Sequence, residues 1–286
     1  MLPQQLLAKH WPEYLIEAWG LGILMVAAGT LATVLFSTAS PVHQAIPNPF
    51  VQQVLMGLGM GLTVFFVVSS PWGRRSGAHF NPAVTLTFYQ LGKVKAGDAL
   101  FYSLFQVLGG LAGVLLVRVV FGQAFTAQPV QYVVTVPGKA GIPGAVLAEL
   151  LVATVTMFVV QVLSNQPRLA PITPKVVALL VMGAVIWAAP YSGFSTNPAR
   201  TIASALPAGV WTAVWLYLMV PTVGMVLGAQ LYLVLYSHRS KPVRCGKLWY
   251  DDTTPCGRSD GRGTTRCIFC EDAGHSRWHD LSHGHS

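Results

Sequence analysis

Charge is what this chain has least of. Only 10% of its 286 residues are Asp, Glu, Lys or Arg, against roughly 25% in a soluble domain, while 53% are hydrophobic and the mean hydropathy is +0.53. So few charges cannot clothe a water-facing surface, and the chain belongs in a bilayer. Cysteine is absent before position 245, which excludes disulfides and thiol chemistry from everything upstream. The basic residues leave a formal charge of +8, but they are scattered over loops and tail with no stripe of interleaved aromatics, which excludes a nucleic-acid partner. The apolar runs hold no nucleophile beside a base and no metal-ligating cluster, so an enzyme is not expected. Met1 to Glu13 carries Lys9 and His10 without an apolar core ending in small residues, so it does not read as a cleaved signal peptide.

What the chain does have is long apolar runs. Tyr14 to Ser37, Phe50 to Ser69, Ala99 to Gly122, Pro143 to Leu163, Pro171 to Ala189 and Trp211 to Tyr236 each supply about the 20 residues that a tilted helix needs to cross the hydrocarbon. Six crossings put Arg74, Arg75, Lys93, Lys95, Arg168, Lys175 and the basic cluster at 239–247 on one face with both termini. The loops of the other face hold Lys139 as their only Lys or Arg, so the basic face is expected to be cytoplasmic. Arg118 lies within snorkelling reach of the far interface.

One phrase occurs twice. Ser76-Gly77-Ala78-His79-Phe80-Asn81-Pro82-Ala83-Val84-Thr85 aligns without a gap against Ser192-Gly193-Phe194-Ser195-Thr196-Asn197-Pro198-Ala199-Arg200-Thr201, with six of the ten places identical. Asn favours the helix N-cap and Pro the first helical position, so each copy reads as a loop turning into a helix. The apolar stretches that follow, Asn81 to Leu91 and Asn197 to Leu206, are too short to cross. At 1.5 Å per residue, about ten residues reach roughly 15 Å, half of the ~30 Å hydrocarbon, so two such half-helices entering from opposite faces meet in the middle. Three spans separate the two copies, and an odd number of crossings makes the repeat inverted. Glu17 and Glu149 sit at matching places in the first span of each half. They are expected to accept hydrogen bonds from re-entrant backbone, with a proton relay as the competing role.

Six spans in inverted halves, two Asn-Pro-Ala half-helices, the paired glutamates and Arg200 directly after the second triplet resemble the major intrinsic protein family, the aquaporins and glycerol channels. The resemblance covers about Tyr14 to Tyr236, and Gln106, Gly110, Pro221 and Gly224 fall where family members have similar residues. It implies an all-α membrane protein with six transmembrane helices plus two re-entrant half-helices, whose halves span about 14–122 and 143–236. Residues 1–13 are expected as a cytoplasmic N-terminal segment, and 237–286 as a cytoplasmic tail. The function implied is passive permeation of water and small neutral solutes such as glycerol, with ions and protons excluded. A glycerol-selective facilitator and an ion-coupled transporter with inverted repeats are the alternatives. The resemblance further implies a homotetramer in the cell membrane, with no cofactor needed for transport.

Asn81 and Asn197 would point two positive helix ends at one spot and donate to a passing oxygen, which repels cations and breaks proton hand-over. Plain N-capping is the competing role for both. By family spacing, Arg200, Phe194 and Val185 belong to a four-residue selectivity filter. The fourth position is Gly61 under gapless counting from Asn81, or Met60 when Gly61-Leu62-Thr63-Val64 is matched to the second span, and Met60 is preferred. His79 is the family's vestibule residue, or else a hydrogen-bonded loop histidine. Val185, where water-selective members carry His, and Phe194 lean towards glycerol, as does Leu218. Thr201, Ala205 and Tyr217 lean towards water.

The four cysteines all lie after Tyr236. Cys267-Ile268-Phe269-Cys270 has zinc-knuckle spacing, and with Cys245, Cys256 and the following histidines it makes the tail a candidate zinc site, with free thiols on a loosely ordered tail as the alternative.

Overall fold

The computed structural model describes residues 3–166, 168–236, 243 and 246–248. The first half consists of α1 (Pro3–Phe36), α2 (Pro41–Ala45), α3 (Pro49–Ser69), α4 (Pro71–Ser76), α5 (Pro82–Gln90) and α6 (Ala96–Phe121). A short α7 (Gln123–Thr126) lies in the connection. The second half consists of α8 (Gly141–Ser164), α9 (Thr173–Trp187), α10 (Ala189–Ser192), α11 (Pro198–Ala208) and α12 (Val214–Tyr236). Six of these helices, α1, α3, α6, α8, α9 and α12, are long and apolar enough to cross a membrane, counting α9 with the turn before it. The protein is an integral, multi-pass membrane protein.

Local chemistry explains the helix starts. Ser40, Asn48, Ser70, Asn81 and Asn197 each accept a backbone amide with their side-chain oxygen, and each is followed by a proline at or next to the first helical position. Proline there gives up only an N–H that would have gone unused. Between spans this chemistry also produces the short helices α2 and α4, which the apolar runs alone do not reveal.

The halves pack alike. Helix α1 lies along α6 and α8 along α12, while α3 crosses α9 between the halves. Each half-helix rests on the last span of the other half, α5 on α12 and α11 on α6. Glycine permits the closest approaches: a methyl at Gly109 on α6 would overlap the Ala18 carbonyl of α1, and one at Gly228 on α12 would overlap the Thr154 carbonyl of α8. Small residues let backbones touch where lipid gives no hydrophobic drive. The outer surface is apolar, with Leu100, Val119, Trp187 and Met219 largely exposed, as suits contact with acyl chains.

Two boundaries differ from the sequence expectation. Helix α1 starts at Pro3, so the residues before Tyr14 are helical and run without a break into the apolar run that follows. Its polar residues are paired: His10 Nδ1 lies 2.8 Å from Asp98 Oδ1, Tyr14 Oη donates to the same oxygen at 2.6 Å, and Glu13 accepts from Arg75 Nε at 2.8 Å. Apolar content falls there while the helix runs on. At the other end packing continues past Tyr236, because Val243 and Leu248 are buried in one cluster with Val68, Phe88, Val177 and Tyr232.

Candidate functional site: a cavity between two half-helices

Each half-helix is preceded by a loop with left-handed backbone at non-glycine residues. Ala78 (φ 56°) and Phe80 (φ 47°) follow Gly77, and Phe194 (φ 48°) and Thr196 (φ 45°) follow Gly193. Such residues cost about 1–3 kcal/mol each and persist only where the surroundings hold them. Here the holders are the two glutamates. Glu17 accepts from Ser76 Oγ (2.7 Å), His79 N (3.1 Å), Phe80 N (2.5 Å) and Gln106 Nε2 (2.7 Å). Glu149 accepts from Ser192 Oγ (2.8 Å), Ser195 N (2.8 Å) and Thr196 N (2.6 Å). Tyrosines finish the brace, Tyr102 Oη donating to the Ser76 carbonyl at 2.8 Å and Tyr217 Oη to that of Ser192 at 2.7 Å. Non-helical chain at membrane depth is thus satisfied by protein, as it must be.

The two loops meet through their asparagines. Asn81 Oδ1 caps α5 at Ala83 N (2.8 Å), and Asn197 Oδ1 caps α11 at Ala199 N (3.0 Å) and Arg200 N (3.2 Å). Their amide groups then cross over: Asn81 Nδ2 donates to the Thr196 carbonyl at 2.7 Å, and Asn197 Nδ2 to the Phe80 carbonyl at 2.8 Å. Capping and cross-linking coexist in one side chain. Each amide nitrogen carries two hydrogens, so one remains after the cross-link, on residues that line a cavity. Two helix N-termini converge there, each equivalent to roughly half a positive charge.

That cavity has a volume of about 640 Å³, and its lining reaches from Phe36, His43 and Gln52 at one end to Val68, Val177 and Leu248 at the other. Most of the wall is apolar. Met60, Val185, Phe194, Arg200 and His79 all line it. Gly61 does not: a methyl there would lie 3.0 Å from the Ala178 carbonyl, so this glycine serves the α3–α9 crossing. Arg200 Nη1 is buried with no hydrogen-bond partner among the described residues, leaving a donor on a cationic group in the wall. A neutral molecule carrying oxygen acceptors fits such a path. A cation meets the guanidinium and two helix ends, all of its own sign.

Several contributors to the loop scaffold have a structural role that the sequence does not assign. Ser76 and Ser192 open the repeated phrase, and Thr85 and Thr201 close it, as identical residues. Their hydroxyls lie against the glutamates and, at 3.0 Å and 2.6 Å, against His79 and Ser195. Identity within the phrase was the available signal. Gln53, whose Nε2 donates to the Val185 carbonyl, sits inside an apolar run that gives it no mark. His79 makes a further contact from Nε2 to the Gly246 carbonyl at 2.6 Å, so its ring is a bonded residue that also lines the cavity. Tyr217, read as a substrate marker, holds the second loop. Cys245, Cys256, Cys267 and Cys270 lie outside the described residues.

Comparison with known proteins gives a consistent picture. The family model described as Major intrinsic protein matches residues 8–232. Aquaporin NIP1-3 of Oryza sativa subsp. japonica is 35% identical over 185 residues, which is 64% of this chain and 62% of the rice protein. The match therefore spans less than two thirds of that relative's length. Aquaporin NIP1-1 of Zea mays is 28% identical over 84% of this chain and 77% of its own, and Aquaporin Z of Photorhabdus laumondii is 27% identical over 77% and 96%. Among solved structures, the aquaglyceroporin from Plasmodium falciparum superposes with a TM-score of 0.64 at 23% identity, covering 79% of this chain and 95% of that one. That likeness shows the fold.

Proposed function

The chain belongs to the major intrinsic protein family, and from that premise we propose that it is a passive channel for water and small neutral solutes such as glycerol. The reciprocal contact of Asn81 with Thr196 and of Asn197 with Phe80 carries this reading, because it sets two half-helix ends and two spare amide hydrogens on one apolar-walled cavity. Solutes pass by accepting hydrogen bonds from the asparagines. A water molecule held in this way is turned so that it cannot relay a proton along the file. Arg200, Val185, Phe194 and Met60 form the narrow part. There one fixed cation with spare donors faces apolar side chains, a setting suited to molecules with hydroxyls on one edge and carbon on the other. His79 belongs to the vestibule at the tail side.

Ion-coupled transport is the weaker alternative. A coupling ion needs free ligands, and the oxygens of Glu17 and Glu149 are taken up by loop and side-chain donors. The same reading places the protein in the cell membrane as a homotetramer, with the basic face and the tail in the cytoplasm. It also keeps the tail cysteines as a candidate zinc site, on residue type and spacing alone. Elemental analysis of the purified chain without bound zinc would end that part.

Stopped-flow swelling of proteoliposomes under gradients of sucrose, glycerol and urea tests the channel. The expected result is volume change well above protein-free vesicles and proportional to the gradient. Saturable uptake that follows an imposed proton or sodium gradient would favour the transporter.

A further inference from the structure

The polar tail does not simply leave the membrane after α12. Beyond that helix, Val243, Gly246 and Leu248 lie against the first re-entrant loop and the residues packed around it. Leu248 N donates to the Gly77 carbonyl at 3.0 Å, and the Gly246 carbonyl lies 2.6 Å from His79 Nε2. Both partners belong to the re-entrant loop, so this strand of tail is stitched to the pore wall by backbone. Val243 and Leu248 are each 5% exposed and pack with Val68, Ala78 and Val177. Leu248 is itself one of the residues lining the cavity.

Resting on the channel reading above, we propose that the tail-side vestibule is a binding site for the chain's own residues Val243, Gly246 and Leu248, and that Leu248 seated there closes the pore. Three features of the contact act together. Leu248 brings an apolar side chain into the mouth, where a file of water needs polar neighbours. The Gly246 carbonyl engages the His79 ring, the imidazole that would otherwise exchange hydrogen bonds with entering water. The Gly77 carbonyl, an acceptor on the re-entrant loop, is filled by a backbone amide. Solute and segment therefore compete for the mouth and for the His79 ring that lines it, and permeation requires the segment to leave. The opposite mouth differs: it is lined by His43 and Gln52, which bond to one another at 3.0 Å.

The test is gain of flux. Proteoliposomes carrying the full chain are compared with Leu248→Asp, Leu248→Ala and a chain ending at residue 240, per mole of reconstituted protein. A carboxylate cannot stay in the apolar seat, so Leu248→Asp and the shortened chain should conduct water roughly tenfold faster, the ratio expected when the open form is about 10% populated in the parent. Leu248→Ala should fall between them and the parent. Misfolding lowers flux, so a rise reports release, provided that proton leak stays at the level of the parent. Flux at or below the parent in all three variants overturns the plug. A rise in the shortened chain alone overturns Leu248 as the closing group. A parent above protein-free vesicles that the variants merely match sinks the plug and leaves the channel standing. All four chains at the lipid background would sink the channel reading itself.

Discussion

The two re-entrant loops share a skeleton and differ in what they show the cavity. In both, a serine and two amides bind a glutamate, a tyrosine closes on the serine carbonyl and an asparagine reaches across to the other loop. Beyond that they part. The first loop presents His79, engaged by the tail, while the second presents Ser195 and, one turn on, Arg200, whose Nη1 has no partner among the described residues. Glu17 has Gln106 as an additional donor, whereas no side chain of α12 donates to Glu149 among the described contacts. Duplication therefore covers the scaffold that keeps strained backbone in place. The residues that meet solute are free to diverge, so one loop leads to a cation and the other presents a histidine covered by the tail.

The sharpest way to break this comparison is to remove its shared part. Glu17→Leu strands four buried donors, at about 1–3 kcal/mol each, and is expected to prevent a monodisperse protein from accumulating in detergent. Glu149→Leu strands three and should be somewhat milder, which thermal melts followed by size exclusion would rank. Equal and small losses would show that the loops do not depend on the carboxylates. Next in size are the asparagines. Asn197 caps two amides and Asn81 one, so Asn197→Ala should lower stability by about 1–2 kcal/mol and Asn81→Ala by about 1 kcal/mol. Both should depress water flux, and a reversed order in denaturation would count against the contacts described.

Smaller effects sharpen the divergent part. In the proposed narrow part, Val185→His should cut glycerol flux several-fold while sparing most of the water flux, since a hydrophobic wall discriminates small size differences by roughly 10–200-fold at most. Equal losses would remove Val185 from the narrow part. Smallest is a neighbouring pair on α3. Met60→Ala should shift the glycerol-to-water ratio with little change in melting temperature, and Gly61→Ala should do the reverse, because its methyl meets the Ala178 carbonyl at 3.0 Å. The reverse outcome for the pair would exchange their roles.

Much of the frame was legible in the sequence because two strong signals agree. Hydropathy marks the crossings, and the ten-residue repeat fixes inversion and the site at one stroke. Spacing left Met60 and Gly61 unresolved, since a residue's face is set by which helix it packs on, and only the α3–α9 crossing decides that. Hydropathy marks the apolar crossing but not the helical turns that precede it in α1. His10 and Glu13 lower the local average, yet they are buried and paired with Asp98 and Arg75 of other helices, contacts invisible to any window on one segment. The return of the tail was hidden for a related reason. A polar stretch carries no periodic pattern, and Val243 and Leu248 acquire their meaning only from the mouth they fill.

The central claim is that two half-helices abut to make a path open to neutral molecules and shut to charge. Its most direct test measures water and proton flux side by side on the same proteoliposomes carrying the full chain. Osmotic water flux above protein-free vesicles with proton flux at the lipid background is the result expected. Proton conduction rising in step with water flux, or water flux no greater than that of bare lipid both here and after release of Leu248, would contradict it.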